Sequence, residues 1–341
     1  MTLAALPLWA VVAVFVAAAA AIALAGVRLA HVADALADRT GMGEVVAGAL
    51  FVGAATSLPG AITSVSTAWQ GASGLAVGNA LGGLTAQTAF IAVADLFYRR
   101  ANLEHAAASV AGLTQGVLLM VLLTIPLLAS AEPQVTLWGV HPASVLIPVI
   151  YGLGLRLLSH IHDDPMWHPV QTDETREEVS EPDREDGVPD RALWLRFTLY
   201  AGITAVAGWA IGEASLALNE MTGLGESAIG TVFAGVANSL PELVTAIAAV
   251  RIGAVSLAVG DVIGGNAFEV MFLSAADLFD EGSIYGAMGP GDRTTALLAL
   301  LMTGVLLLGM LRREKTGPAR IGFESLAVLG LYAVSVALVL R

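Results

Sequence analysis

Two carboxylates, Glu242 and Glu269, stand inside apolar stretches, each beside residues whose oxygens suit a hard cation. Glu242 directly follows Pro241 in the run Asn238, Ser239, Leu240, Pro241, and Glu269 follows Gly264, Gly265 and Asn266. A proline inside an apolar helix removes one backbone donor and frees carbonyls in the preceding turn, which is tolerated in hydrocarbon only where other groups satisfy them. Asn238 and Ser239 surround one such break, and Thr56, Ser57 and Pro59 make another. Freed carbonyls, side-chain oxygens and a carboxylate form the donor set that Ca²⁺ takes, roughly six to eight oxygens in a flexible shell, and that Na⁺ also accepts. An acid midway along an apolar span costs about 2.5 to 3.5 kcal/mol on insertion scales and rarely persists without a role. No nucleophile and base pair or nucleotide-binding motif accompanies these residues. The expected chemistry is therefore coordination of small cations, with no enzyme activity, no cofactor other than transported ions, and no nucleic-acid partner.

The elements that hold these groups occur twice. Residues 41–97 recur as residues 223–279 at a constant offset of 182, so that GALFVGAATSLPGAIT faces GTVFAGVANSLPELVT and GLAVGNALGGLTAQ faces SLAVGDVIGGNAFE. One duplicated unit explains a gapless match of this length. The mismatches carry the charge: Gly60 faces Glu242, Gln87 faces Glu269 and Asn79 faces Asp261. Asp261 precedes Glu269 by eight residues, about 12 Å along a regular helix and rotated by roughly 80°, so it is expected to line an access or proton path, with Asn79 as its counterpart, or to be a satisfied polar group. Asp95 and Asp277 fall near helix ends in both copies and read as capping or pairing residues. Glu44 and Glu226 begin apolar spans, where acids favour the helix N-terminus.

The chain has 341 residues, is 56% hydrophobic and only 13% charged, and has a mean hydropathy of +0.76, which is the composition of an integral membrane protein. Apolar runs near the length needed to cross a bilayer fall at 5–30, 44–68, 73–98, 107–130, 136–158, 193–218, 226–250, 254–279, 293–311 and 321–340. The first has no basic residue before it and reads as a span rather than a cleaved leader. With the N-terminus outside, 14 of the 16 basic residues fall inside, leaving Arg293 and Arg341 outside, as the excess of Lys and Arg in cytoplasmic loops requires. The expected fold is all-α, with ten transmembrane helices and both termini external. Five spans per half is an odd number, so the copies enter the membrane from opposite sides as inverted repeats. Secondary transporters use that arrangement to alternate access to a site at the repeat interface.

The halves are 1–158, with repeat motif 41–97, and 193–341, with repeat motif 223–279, joined by an acidic cytoplasmic linker, 159–192. The linker holds much of the net charge of −13 and reads as a solvated tether, or as a regulatory cation site using His160, His162, Asp163, Asp164 and His168. The chain has no cysteine, so neither a disulfide nor a thiolate metal site can form.

With Thr56 to Gly60, Asn238 to Glu242 and the two glycine-rich stretches at 78–83 and 260–265, the chain resembles the cation/Ca²⁺ exchanger superfamily, whose relatives include Na⁺/Ca²⁺, Na⁺/Ca²⁺,K⁺ and H⁺/Ca²⁺ exchangers. The resemblance implies a cation site built from Glu242, Glu269, Gln87, Thr56, Ser57, Asn238 and Ser239, opened by the helix breakers Pro59 and Pro241, with Glu242 and Glu269 as the charged metal ligands. It also implies departures. Each family repeat has a Glu directly after the proline, and here Gly60 replaces the first. The usual Asn and Asp are lengthened to Gln87 and Glu269, and Gly83 and Gly265 replace a Ser. Two carboxylates balance one Ca²⁺, two Na⁺ or two protons. The implied activity is Na⁺/Ca²⁺ exchange in the cell (plasma) membrane with reduced or electroneutral stoichiometry; the alternative is Ca²⁺/H⁺ or Na⁺/H⁺ exchange on the same carboxylates. A monomer suffices for transport.

Overall fold

A computed structural model describes residues 3–40, 53–98, 101–132, 134–163, 167, 170, 188–315, 317 and 321–341. The helices are α1 (Leu8–Thr40), α2 (Gly53–Thr56), α3 (Leu58–Trp69), α4 (Ser73–Asp95), α5 (Leu103–Ala106), α6 (Val110–Ala131) and α7 (Pro142–Asp163), then α8 (Asp190–Thr222), α9 (Glu226–Asn238), α10 (Leu240–Ile252), α11 (Val255–Asp277), α12 (Pro290–Arg312) and α13 (Phe323–Val339). Glu44, Arg99, Arg100, Asp164, His168 and most of the acidic linker lie outside the described residues.

Helix boundaries recur with the sequence repeat. The long helices α1 and α8 are each 33 residues and start 182 apart, and α4 and α11 are each 23 residues at the same offset. Both prolines act as sequence chemistry demands. The chain breaks at Ser57, Pro59 occupies the first turn of α3, and Pro241 does the same in α10, which bends 44° away from α9. Proline is tolerated there because a helix's first N–H groups have no intrahelical partner. A π-helical stretch at Ile229–Ala234 precedes the second break.

The two long helices bind the two breaks reciprocally. Gly26 of α1 lies against the Pro241 ring, where a Cβ would come within 2.5 Å of Cγ. The equivalent Gly208 of α8 lies against the Pro59 backbone. Thr63 Oγ1 reaches both Pro59 O, at 2.9 Å, and Gly208 O, at 2.7 Å. Only residues without a side chain permit approach this close. At their far ends α4 and α11 are closed by Asp95, which accepts from Leu103 N at 2.8 Å, and by Asp277, which accepts from Ile284 N at 3.1 Å and His141 N at 2.8 Å. Capping, one of the two roles expected for these acids, is what the structure contains.

Among the described residues six helices are long and apolar enough to cross a membrane, and the bent pair α9 and α10 makes a seventh. The protein is a multi-pass integral membrane protein. Large apolar side chains such as Trp9, Leu24, Leu128, Leu195 and Val206 face outward, as a hydrocarbon solvent permits. Helix α4, by contrast, is buried along almost its whole length. It forms, with α11, the centre of the bundle, where the polar residues collect.

Candidate cation-binding site

Residues 87 and 269 occupy the same position of the two copies, and they meet. Gln87 Nε2 of α4 donates to Glu269 Oε1 of α11 at 2.6 Å, and also to Ser239 Oγ at the second break, at 3.2 Å. The glycines one turn earlier make room for these long side chains. A Cβ on Gly83 would stand 2.7 Å from Glu269 Oε2 and 2.9 Å from Oε1, and one on Gly265 would stand 3.5 Å from Gln87 Oε1. The Glu269 carboxyl group thus occupies space that a side chain at residue 83 would need.

Glu242 begins α10 directly beyond Pro241, where the free N–H groups of a helix start favour an anion. It is 2% exposed and Glu269 is 4% exposed, and the two lie close enough for their charges to repel. Thr56, whose hydroxyl donates to Gly53 O at 3.2 Å, stands beside Glu242. Asn238 has its amide nitrogen committed, donating to Asn79 Oδ1 at 2.7 Å and to Thr63 Oγ1 at 3.0 Å, which leaves its carbonyl oxygen free. Asn79 in turn donates to Gly60 O at 2.9 Å and to Ser64 Oγ at 2.8 Å. It therefore satisfies a carbonyl near the first break from the neighbouring helix. Asp261, its counterpart, is half-buried on α11, eight residues before Glu269, and lies close enough to both Glu242 and Asp34 of α1 for their charges to interact.

Ser57 Oγ, Gln87 Oε1, Asn238 Oδ1, Glu269 Oε2 and both carboxylate oxygens of Glu242 are buried and have no hydrogen-bond partner. Buried acceptors are almost always paired, because leaving one unpaired costs about 1 to 3 kcal/mol and more when it is charged. Six such oxygens, drawn from both copies, are of the type that a hard cation takes. Among the described residues no three of His, Cys, Asp and Glu converge on a metal-sized site.

Two features here lie beyond the sequence reading. The position of the first-repeat acid is not open: a Cβ on Gly60 would meet Phe272 Cε2 at 2.8 Å and Cζ at 3.4 Å. Phe272 follows Glu269 by three residues and so shares its helix face, which is the signal that could have found it. Thr63, which faces Thr245 in the repeat but was given no role by the motif comparison, joins the first break, α8 and Asn238.

The coupling at Gly83 is directly testable. Gly83→Ser should displace the Glu269 carboxylate and lower cation flux about tenfold, the effect of an overpacking penalty of about 1 to 3 kcal/mol. Adding Glu269→Asp to the same chain should recover most of the loss. Tracer flux for the single and double variants measures both.

A family model described as sodium/calcium exchanger protein matches residues 10–155 and 192–341. Inner membrane protein YrbG of Escherichia coli (strain K12) is 33% identical over 133 residues, 39% of this chain and 40% of that protein. A putative antiporter, CaxA of Alkalimonas amylolytica, is 26% identical over 303 residues, covering 84% of this chain and 86% of its own. Among solved structures, the H⁺/Ca²⁺ exchanger CAX superposes with a TM-score of 0.66 at 13% identity, over 97% of this chain and 85% of that one. The sodium-calcium exchanger NCX_Mj superposes with a TM-score of 0.58 at 17% identity, over 97% and 99%.

Proposed function

Because the chain belongs to the sodium/calcium exchanger protein family, whose members are membrane antiporters, we propose that it exchanges Ca²⁺ for Na⁺ by alternating access at the site between the two breaks. The supporting observation is the set of six unpaired buried oxygens contributed by both copies, with Glu242 and Glu269 as the carboxylates among them. In this reading Glu242, Glu269, Gln87, Thr56, Ser57, Asn238 and Ser239 line the site, Pro59 and Pro241 expose backbone to it, and Asp261 and Asn79 flank the approach. The gapless repeat at offset 182 supports ten spans in two inverted five-helix halves, 1–158 and 193–341, around the linker 159–192. The basic residues support external termini, and the membrane of this reading is the plasma membrane. Tracer Ca²⁺ uptake into proteoliposomes against outward Na⁺, K⁺ and H⁺ gradients is the test. Uptake driven by Na⁺ alone agrees with the proposal, and uptake driven by H⁺ without Na⁺ selects cation/H⁺ exchange on the same carboxylates.

With two carboxylates the charge carried in each direction is balanced by one Ca²⁺ against two monovalent ions. The exchange is expected to be electroneutral, so clamping the membrane potential should leave the steady-state Ca²⁺ gradient unchanged. A gradient that follows voltage would assign a third charge to the cycle. Asp261→Asn, measured in the same assay, then shows whether Asp261 supplies it.

A further inference from the structure

The two ends of the bundle carry one motif wired in two ways. At one end, Asp277 of α11 accepts from Ile284 N and His141 N and from Ser144 Oγ at 2.7 Å, and Ser144 Oγ lies 2.9 Å from the Tyr285 hydroxyl. At the other end, Asp95 of α4 accepts from Leu103 N, from Gly322 N at 3.2 Å and from Ser325 Oγ at 2.9 Å, and Ser325 Oγ lies 3.0 Å from Glu104 Oε1. Leu103, Glu104, His141 and Ser144 pair with Ile284, Tyr285, Gly322 and Ser325 at an offset of 181. The geometry is therefore repeated, with Glu104 standing where the other copy has a tyrosine.

A serine hydroxyl has one proton. At the Asp277 end Ser144 gives it to the carboxylate and the phenol, which carries its own proton at every physiological pH, donates into Ser144 Oγ. At the Asp95 end the same chain closes only when Glu104 is a carboxylic acid donating into Ser325 Oγ. Asp95 already accepts three hydrogen bonds, which suits the ionised partner, whereas Glu104 Oε2 has none. Glu104, Asp95 and Glu324 are all fully buried, and both oxygens of Glu324, wedged against Gly309 and Gly322, also have no partner. These three acids do not converge on a metal-sized site.

We propose that Glu104 is a proton-binding site that links α5 to the start of α13, making one end of the carrier sensitive to pH and leaving the opposite end permanently linked through Tyr285. The other charged or titratable groups around it are His105 of α5, whose ring Nδ1 is 2.6 Å from Arg313 O, and Arg312, Arg313, Glu314 and Lys315 where α12 ends. Burial first, and then the charges of Asp95 and Glu324, hold the Glu104 carboxyl up at about 8 from its ordinary 4.5. A raised folded value means that the stabilising contribution is complete below about 4.5 and is lost as pH rises to about 8.

Glu104→Gln tests this, because the amide donates to Ser325 Oγ at every pH as the phenol does. The wild type in nanodiscs should lose several degrees of Tm between about pH 4.5 and pH 8 that Glu104→Gln retains. An infrared C=O band of a protonated carboxyl group should titrate away near pH 8 in the wild type and be missing from the variant's titration. Identical Tm profiles and identical titrations in the two proteins would overturn the proposal. Ser325→Ala, which keeps Glu104 and removes its acceptor, should shift the frequency of that band, and an unshifted band would equally overturn it. These readouts need no transport activity, so they stand or fall apart from the identity of the exchanged ions.

Discussion

Glu242→Gln and Glu269→Gln should each reduce exchange at least 100-fold, the largest effect expected of any single change. Each carboxylate is buried, each has at least one oxygen without a hydrogen-bond partner, and together they carry the charge of the site. Removing one leaves a divalent ion under-neutralised in a dry environment, a loss of about 3 to 5 kcal/mol by analogy with breaking a buried ion pair, and each 1.4 kcal/mol is about tenfold. Stability should move the other way. Without a bound ion, the native protein holds two repelling carboxylates at its centre, so either amide should leave Tm unchanged or raise it. Flux in proteoliposomes together with thermal unfolding in Ca²⁺-free buffer separates loss of the site from loss of the fold. A wild-type rate in Glu242→Gln would remove this residue from the transport site.

Gly60→Glu alone should abolish transport rather than strengthen Ca²⁺ binding, even though it restores the acid that the family carries at this position. The new Cβ would stand 2.8 Å from the Phe272 ring, and the carboxylate beyond it would be forced against an apolar surface. Phe272 itself is buried and packs edge-on to Phe268 at 6.2 Å, which in turn meets Tyr151 at 6.0 Å. Removing that ring alone should cost about 3 to 5 kcal/mol of stability. The informative protein is therefore Gly60→Glu combined with Phe272→Ala, in which the side chain enters the volume that the ring vacates. Its Ca²⁺ affinity, measured by calorimetry, should exceed that of Phe272→Ala at least tenfold, and its exchange should acquire voltage dependence from the third carboxylate. Equal affinities would mean that Gln87 and Glu269 already supply what the missing acid would.

Much of the centre was legible because its signals are local and doubled. The prolines, the glycine-rich stretches and the acids in apolar surroundings each have a meaning that follows from hydrocarbon as solvent, and recurrence at offset 182 made coincidence an inadequate explanation. Thr56, Ser57, Asn238, Ser239 and Glu242 lie at the two breaks, and Gln87 and Glu269 meet each other beside Ser239. The capping role of Asp95 and Asp277 was legible as one of two alternatives. Other features were out of reach. That Asn79 spends its amide on Gly60 O and Ser64, away from the unpaired oxygens, depends on how α3 packs on α4. That Gly60 is filled by Phe272 depends on the rotation of α11 about its own axis.

The sequence by itself determined the membrane class, the internal repeat, which oxygen-bearing residues are candidates for a hard cation and the imbalance of charge between the copies. These follow from composition, periodicity and side-chain chemistry, which need no knowledge of distant neighbours. Tertiary structure decided how the departures from the family pattern are accommodated. Gly83 makes room for the longer Glu269, Phe272 takes the place of the absent acid, and Glu104 stands where the other end of the bundle has Tyr285. Each of these joins helices far apart in the chain, and at close-packed interfaces a single methylene, ring or proton determines which neighbour can occupy the space.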